Sequence, residues 1–374
     1  MTVEMKKYKL GDIGEVRMCK RILKEDTNTV SGIPFFKIGT FGNVADVFIT
    51  RKKFEEYKAK YSYPKKGDVL ISAAGTIGRT VVFNGEEAYF QDSNIVWIEN
   101  DESKVVNALL YYAYKNVKWK VSNGSTILRL YNDDLRRTEI IVPADIQVQK
   151  KIASILSTLD KRIENLRAQN RVLEQTAKTI YDYTFLQCAG HQTTYNKTLN
   201  RNIPTNWEVK KLGDLLTIKN GRDHKHLIDG PFAVYGSGGL MRKVDSFLYD
   251  GESVLIPRKG TLNNVMYVDE KFWTVDTMFY TVMNKPYYGK YVYYSVKDID
   301  FMARNSGTGV PSMTSGYLNT ISIALPDSQT LETFNNQVTP LFKKVQLNTK
   351  QIETLTTQRD TLLPLLMTGQ VEVA

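Results

Sequence analysis

Two stretches of this chain repeat an apolar position at alternating intervals of four and three residues, and no other feature limits the possible folds so sharply. In the first the positions are Ile152, Leu156, Leu159, Ile163, Leu166, Asn170, Leu173, Ala177 and Ile180. In the second they are Phe334, Val338, Leu341, Val345, Asn348, Ile352, Leu355, Arg359, Leu362 and Leu366. A mean spacing of about 3.5 residues keeps these side chains on one narrow seam of a long helix, and such a seam needs a partner helix. Each helix would run for roughly 40 residues, about 60 Å. Two separate amphipathic helices, each lying on its own domain, would also satisfy the spacing. That length outruns the face of a domain of about 130 residues, whose radius of gyration is near 14 Å, and so favours pairing. The first helix carries the chain from one half to the other, so its partner must run back, and the pair is antiparallel. Asn170 and Asn348 then fall within about a turn of each other, where a polar seam residue either sets the register or is simply tolerated. Pro340 and Pro364 should kink or end the second helix, since each removes a donor and crowds the preceding turn.

The halves share more than a helix. Leu10-Gly11-Asp12-Ile13 returns as Leu212-Gly213-Asp214-Leu215, and Ile140-Ile141-Val142-Pro143 returns as Ile323-Ala324-Leu325-Pro326. Each of the later markers leads into one of the seams. Between the markers the chain reads as β-rich, with runs such as residues 68–72, 80–83 and 94–98 answered by 253–256, 264–268 and 278–282. Short helices are expected at residues 105–118 and 287–296, and a polar linker at 190–204. The ends of the two halves match while their middles diverge, which suggests one scaffold carrying two different readouts. The expected fold is α+β: a β-rich domain over 1–144, a helical region over 145–190, a linker and second β-rich domain over 191–326, and a helical region over 327–374. The two domains are separated by the antiparallel coiled coil in a pseudo-two-fold repeat.

Charge and chemistry narrow the function. Fifty Lys and Arg against forty Asp and Glu give a net charge of +10 over 374 residues, which favours a polyanionic partner. Cys19 and Cys188 are the only cysteines, which excludes a disulfide framework and any cysteine-based zinc site. Three histidines are too few to replace them, and His224 and His226 read as part of a basic surface loop. The chain has no phosphate-binding loop ending in Gly-Lys-Ser/Thr, no Asp/Asn-Pro-Pro-Phe/Tyr methyltransferase motif and no nucleophile with a base beside it. No catalytic residue, metal site or cofactor is therefore expected in this chain. Residues 1–7 have no apolar stretch and no apolar run approaches about 18 residues, so the expectation is a soluble cytoplasmic protein with no membrane partner. Gly236-Ser237-Gly238-Gly239 reads as a tight turn. Polar, Gly-rich loops recur at matching places, residues 72–79 and 122–126 in the first half and 256–264 and 305–309 in the second. Glycine lets backbone come close to phosphate, while Arg, Lys, Asn and Ser/Thr supply donors for phosphates and base edges.

These residues resemble a known family, the DNA-specificity (S, HsdS-type) subunits of Type I restriction-modification systems. The resemblance covers nearly the whole chain. It rests on Trp207-Glu208-Val209-Lys210-Lys211-Leu212-Gly213-Asp214, on the weaker Tyr8-Lys9-Leu10-Gly11-Asp12-Ile13-Gly14, and on Gly67-Asp68-Val69-Leu70-Ile71-Ser72 with its Gly-Thr-Ile-Gly turn. Ile141-Val142-Pro143 leading to Gln147-Val148-Gln149-Lys150-Lys151-Ile152-Ala153, and the ending Leu362-Leu363-Pro364-Leu365-Leu366-Met367-Thr368-Gly369-Gln370-Val371, complete it. The family implies two target-recognition domains, each reading one half of a bipartite site in double-stranded DNA, held apart by two paired helical regions. It also implies two modification subunits that methylate adenine with S-adenosylmethionine, and restriction subunits that use ATP and Mg. Module one lacks the opening Trp, and module two has Pro-Arg-Lys-Gly-Thr where module one has Ala-Ala-Gly-Thr-Ile-Gly. Base-reading residues do not carry over between members, because these domains differ for each target.

The candidate DNA contacts are Lys37, Thr40, Asn43, Thr76 and Arg79 in the first domain and Arg222, Lys225, Arg258, Lys259 and Asn263 in the second. All sit on Gly-rich loops of a basic chain. Lys150, Lys161, Arg167 and Lys178, on the outer face of the first helix, are candidates for docking modification subunits. Two relatives of this reading stay open: the specificity subunit of a Type IIB system, whose one partner both cuts and methylates, and a coiled-coil scaffold with protein-binding domains. A nuclease or methyltransferase acting alone is opposed by the missing motifs.

Overall fold

The computed structural model describes residues 3–119, 129–305 and 309–371. The periodic stretches are helices: Ile146–Tyr181, with 36 residues, and Ser328–Met367, with 40. The chain forms two compact units, Met1–Leu166 with Lys350–Ala374, and Arg167–Thr349, so the division falls inside both long helices. Each unit combines one β-rich domain with a stretch of both helices.

In the first unit, strand Met5–Lys9 pairs antiparallel with Glu139–Pro143, placing Tyr8 opposite Ile140. Leu10–Ile13 then makes one helical turn, whose start is fixed by the Lys9 N–H donating to Asp12 Oδ2 at 3.1 Å. The Leu10 N–H donates to the Thr138 carbonyl. Beyond this neck lies a four-stranded antiparallel sheet in the order Gly14–Met18, Ile95–Asn100, Val69–Ser72, Thr80–Val82. A second four-stranded sheet ends in the parallel pair Ile33–Phe36 and Tyr89–Phe90.

The second unit repeats this plan bond for bond at its base. Glu208–Lys211 pairs antiparallel with Ser322–Leu325, the Lys211 N–H donates to Asp214 Oδ2 at 2.9 Å, and the Leu212 N–H donates to the Ile321 carbonyl. Gly11 packs against Arg136 and Gly213 against Asn319, leaving a Cβ only 3.0–3.4 Å of clearance at either turn. The recurrence of Leu-Gly-Asp thus has a steric and a hydrogen-bonding cause. The middles differ. The second unit has one six-stranded sheet, Leu216–Asn220, Met278–Met283, Tyr249–Pro257, Met266–Thr274, Phe232–Gly236, Gly239–Val244. Helix Arg51–Lys60 of the first unit has no counterpart among the described residues there. The expected short helices form as Asn107–Asn116 and Tyr288–Lys297.

Within each unit the two long helices meet along the predicted seam. In the first, Ile152, Leu156 and Leu366 are buried in one cluster with Leu10 and Leu135, and Arg359 Nη1 lies 2.7 Å from Asp160 Oδ1. In the second, Ala177, Phe334 and Val338 share a cluster with Leu212, and Asn348 Nδ2 donates to Asn170 Oδ1 at 2.9 Å. One partner's numbers rise as the other's fall, so the pairing is antiparallel. Leu159, Ile163, Leu166, Leu173, Leu341, Val345, Ile352 and Leu355 are all buried or half-buried. Asn348 is fully buried and its Oδ1 has no partner. Asn348→Leu is therefore expected to raise stability by about 1 kcal/mol while removing a polar seam contact that marks the register; urea denaturation of the full chain checks it.

Of the two effects expected at Pro340 and Pro364, a kink or an end, the end does not occur: the second helix runs unbroken to Met367. Both prolines are exposed, as are Asn336 and Asp360 four residues before them, so water can satisfy the carbonyls they leave unpaired. Residues 190–204 are not a plain linker: Thr193–Asn196 and Arg201–Pro204 form an antiparallel hairpin, with the Asn196 side chain capping the turn through the N–H groups of Thr198 and Leu199.

Candidate nucleic-acid interface

In the first unit the candidate residues converge from two turns. The turn after strand Ile33–Phe36 is wound by the Thr40 N–H donating to the Lys37 carbonyl and the Asn43 N–H donating to the Thr40 carbonyl. The turn joining Val69–Ser72 to Thr80–Val82 is held by Ser72, whose hydroxyl donates to the Thr76 carbonyl and accepts from the Arg79 N–H. Arg79 joins the two, its Nη1 donating to the Phe41 carbonyl at 2.9 Å. Thr76 and Asn43 are exposed, while Lys37, Thr40 and Arg79 are half-buried. Gly75 and Gly78 have φ of +65° and +82°, which favours glycine at both corners of the turn. Gly78 also admits the Trp119 indole, which any side chain there would strike. Trp119 and Arg129 flank the site as well; the Arg129 Nη2 donates to the Ser93 carbonyl, and Ala74 bridges to Arg129. Sequence reasoning passed over both, although Trp119 stands beside a Gly-rich polar stretch. Loop 122–126 lies outside the described residues.

In the second unit the equivalent turn repeats these backbone contacts. Lys259 bridges to Ser312 as Ala74 does to Arg129, and the Met313 N–H donates to the Arg258 carbonyl as the Leu130 N–H does to Ala73. The N–H groups of Arg258 and Lys259 both donate to the Thr277 carbonyl, and the Arg222 N–H to that of Thr274, so three candidate residues meet along one segment. Arg222, Lys225 and Lys259 are exposed. The Gly236–Gly239 turn forms as expected, joining two strands, and its Ser237 carbonyl accepts from Asn264 Nδ2 at 2.9 Å. It belongs to the same cluster of loops, and Met241, Arg242 and Lys243 follow it on strand Gly239–Val244. The turn was legible; its place beside Gly260 was not.

Asn263 differs from the other candidates. Its amide donates to Asp300 Oδ1 at 3.1 Å and its carbonyl oxygen accepts from the Met302 N–H at 3.0 Å, so the side chain ties down the segment after helix Tyr288–Lys297. That bond, with the N–H groups of Ala303 and Met302, holds the Asp300 carboxyl below the usual carboxylate range. Residues 306–308 of the 305–309 loop lie outside the described residues.

Burial pushes the Cys19 thiol up to about 12, and the Cys188 thiol is raised for the same reason, so neither is a thiolate at neutral pH. Among the described residues no group of His, Cys, Asp and Glu is arranged to hold a metal, and no helix is long and apolar enough to cross a membrane.

The repeated neck and repeated turns have a counterpart in known proteins. The family described as Type I restriction modification DNA specificity domain matches twice, over residues 2–175 and 204–357. The chain belongs to that family. A putative type I restriction enzyme specificity subunit of Haemophilus influenzae is 52% identical over 181 residues, which span 48% of this chain and 47% of that protein, about half of each. The type I restriction enzyme MjaIX specificity subunit of Methanocaldococcus jannaschii is 28% identical over 363 residues, covering 87% of this chain and 82% of its own length. The crystal structure of the type I restriction-modification S subunit from M. genitalium superposes with a TM-score of 0.69 at 19% identity, covering 97% of this chain and 96% of that one. For this specificity-family chain, that likeness extends the α+β architecture of two β-rich domains and paired long helices over nearly its whole length.

Proposed function

We propose that this chain is the non-catalytic, sequence-reading subunit of a Type I restriction-modification complex. Each β-rich domain reads one half of a bipartite site in double-stranded DNA through its paired loops. The outer faces of the long helices receive two modification subunits, which bring S-adenosylmethionine, and restriction subunits, which bring ATP and Mg, join them. The observation that carries this reading is one set of backbone contacts built twice, the Leu130 N–H to the Ala73 carbonyl with the Ala74–Arg129 bridge in the first unit and the Met313 N–H to the Arg258 carbonyl with the Lys259–Ser312 bridge in the second, with different side chains around them. A common backbone with unlike donors is what two unlike half-sites require. The long helices set the separation of the half-sites by their length.

Arg258→Ala is expected to relax one half-site, at a cost of about 1–3 kcal/mol if the guanidinium is bidentate to guanine. Lys259→Ala should instead lower affinity uniformly and reduce the salt slope by about one. Arg79→Ala should relax the other half-site, in part because it also frees the Phe41 carbonyl. Methylated-adenine sequencing of the assembled complexes reads all three. An unchanged target and unchanged affinity in both arginine variants would remove these turns from the interface.

A further inference from the structure

The first unit has a second concave site, at the opposite end of the Val69–Ser72 and Thr80–Val82 ribbon from the turn around Thr76. Four residues of strand separate the two ends, about 13 Å at about 3.3 Å per residue. The cleft is shallow and open to solvent, with about 710 Å³ of space over a lining that includes Lys58, Tyr61, Tyr63, Lys65, Lys66 and Phe83. That volume falls within the range of small-molecule sites, about 300–1,000 Å³.

Two ammonium groups lie beside aromatic rings here. Tyr63 and Phe83 pack edge to face, with ring centroids 5.8 Å apart and planes at 88°. Lys58 Nζ lies 5.1 Å from the centre of the Tyr63 ring. Tyr61 is 42% exposed at the rim, and Lys20 Nζ sits 5.3 Å from its ring centre. The Lys65 side chain is 79% exposed and forms a loose ion pair with Glu99 at 3.8 Å, and the Lys66 stem packs on Gly85. Glu86 is the one carboxylate lining the cleft. The backbone is built around this arrangement: Gly67 and Gly85 have φ of +97° and +89°, and the Gly67 N–H donates to the Phe83 carbonyl at 2.8 Å.

We propose that this cleft binds a nucleotide, with the exposed Tyr61 ring taking the base and the lysines taking the phosphate. Rings alone would suit any apolar ligand and lysines alone any anion; together they suit a phosphorylated aromatic compound, and stacking accepts every base. The site lies away from the DNA-reading turn, so its ligand is either a free nucleotide or one at the end of a strand. Among the described residues the second unit has no equivalent of helix Arg51–Lys60, which supplies Lys58, so the site is assigned to the first domain.

Calorimetric titration of the full chain with adenosine monophosphate, a short deoxythymidine oligonucleotide and inorganic phosphate tests this. Saturable nucleotide binding at about 1 mM or tighter is expected. It should weaken about tenfold in Tyr61→Ala and in the Lys58→Ala/Lys66→Ala double variant, with affinity for duplex DNA unchanged. Adenosine monophosphate binding at least as well as the oligonucleotide assigns the site to free nucleotide; the reverse order assigns it to a strand end. No saturable binding of either, equally strong binding of inorganic phosphate, or variants that weaken duplex binding and leave nucleotide binding intact would overturn the proposal.

Discussion

Excising residues 163–169 together with 349–355 is expected to reduce methylation of the parent DNA target by about a hundredfold or more. The cut removes Ile163, Leu166, Ile352 and Leu355, one heptad from each side of the seam. It leaves Asp160 opposite Arg359 and Asn170 opposite Asn348, so packing within each unit keeps its register. On the proposed reading the half-site separation shrinks by about 10 Å, while a heptad turns a straight helix by only about 20°. About 10 Å of duplex is three base pairs, which turn by about 100°. Length and phase then disagree, and one domain meets its half-site in the wrong orientation. At about 1–3 kcal/mol per lost base pair, two misread pairs suffice for the expected loss. Circular dichroism should report an intact helical fold in the same protein. Methylation of the parent target at its parent spacing would sink the role of the helices as a spacer.

Glu252→Ala is expected to destabilise the second unit by about 3 kcal/mol, at the low end of what breaking a buried ion pair costs. Lys290 is buried, and its Nζ lies 2.8 Å from Glu252 Oε1 and 3.2 Å from Asn335 Oδ1, above the rings of Tyr267 and Phe342. The Tyr267 hydroxyl donates to the same carboxylate oxygen at 2.6 Å. Burial first, and the Glu252 charge second, push that phenol well above its usual range, so it remains a donor. Removing the carboxylate leaves a buried ammonium without its counter-charge and a hydroxyl without its acceptor. Glu252 is 24% exposed at its side chain, which tempers the cost. Replacing both partners, as in Glu252→Gln with Lys290→Met, should recover most of the loss. Urea denaturation reads both; a single-variant loss below about 0.5 kcal/mol would mean that the pair behaves as a surface contact.

The long-range design of this chain was legible because it rests on periodicity. A seam of Leu156, Ile163 and Val338 can be satisfied in few ways, and Leu-Gly-Asp recurs because one turn with one clearance is built twice. What escaped depends on partners distant in sequence. Asn263 looks like a free donor in its loop until Asp300 and Met302 are brought to it. Trp119 becomes part of the first loop cluster only through contact with Gly78. Pro340 and Pro364 read as breakers because their cost is local, whereas burial of Val338 and Leu366 along the same helix is a tertiary gain that outweighs it. Hairpin 193–204 has polar strands with little alternation, so the rule that finds half-buried strands passes over it.

The clasp between the first and last strands of each half has an evolutionary consequence. Met5–Lys9 on Glu139–Pro143, and Glu208–Lys211 on Ser322–Leu325, close each β-rich segment at its root before the chain enters a long helix. Everything above the clasp is a cassette whose two ends emerge side by side. A recombination event that exchanged one cassette between genes would leave the clasp and the helices untouched, so on the proposed reading such a chain can acquire a new target in a single step without first rebuilding its frame.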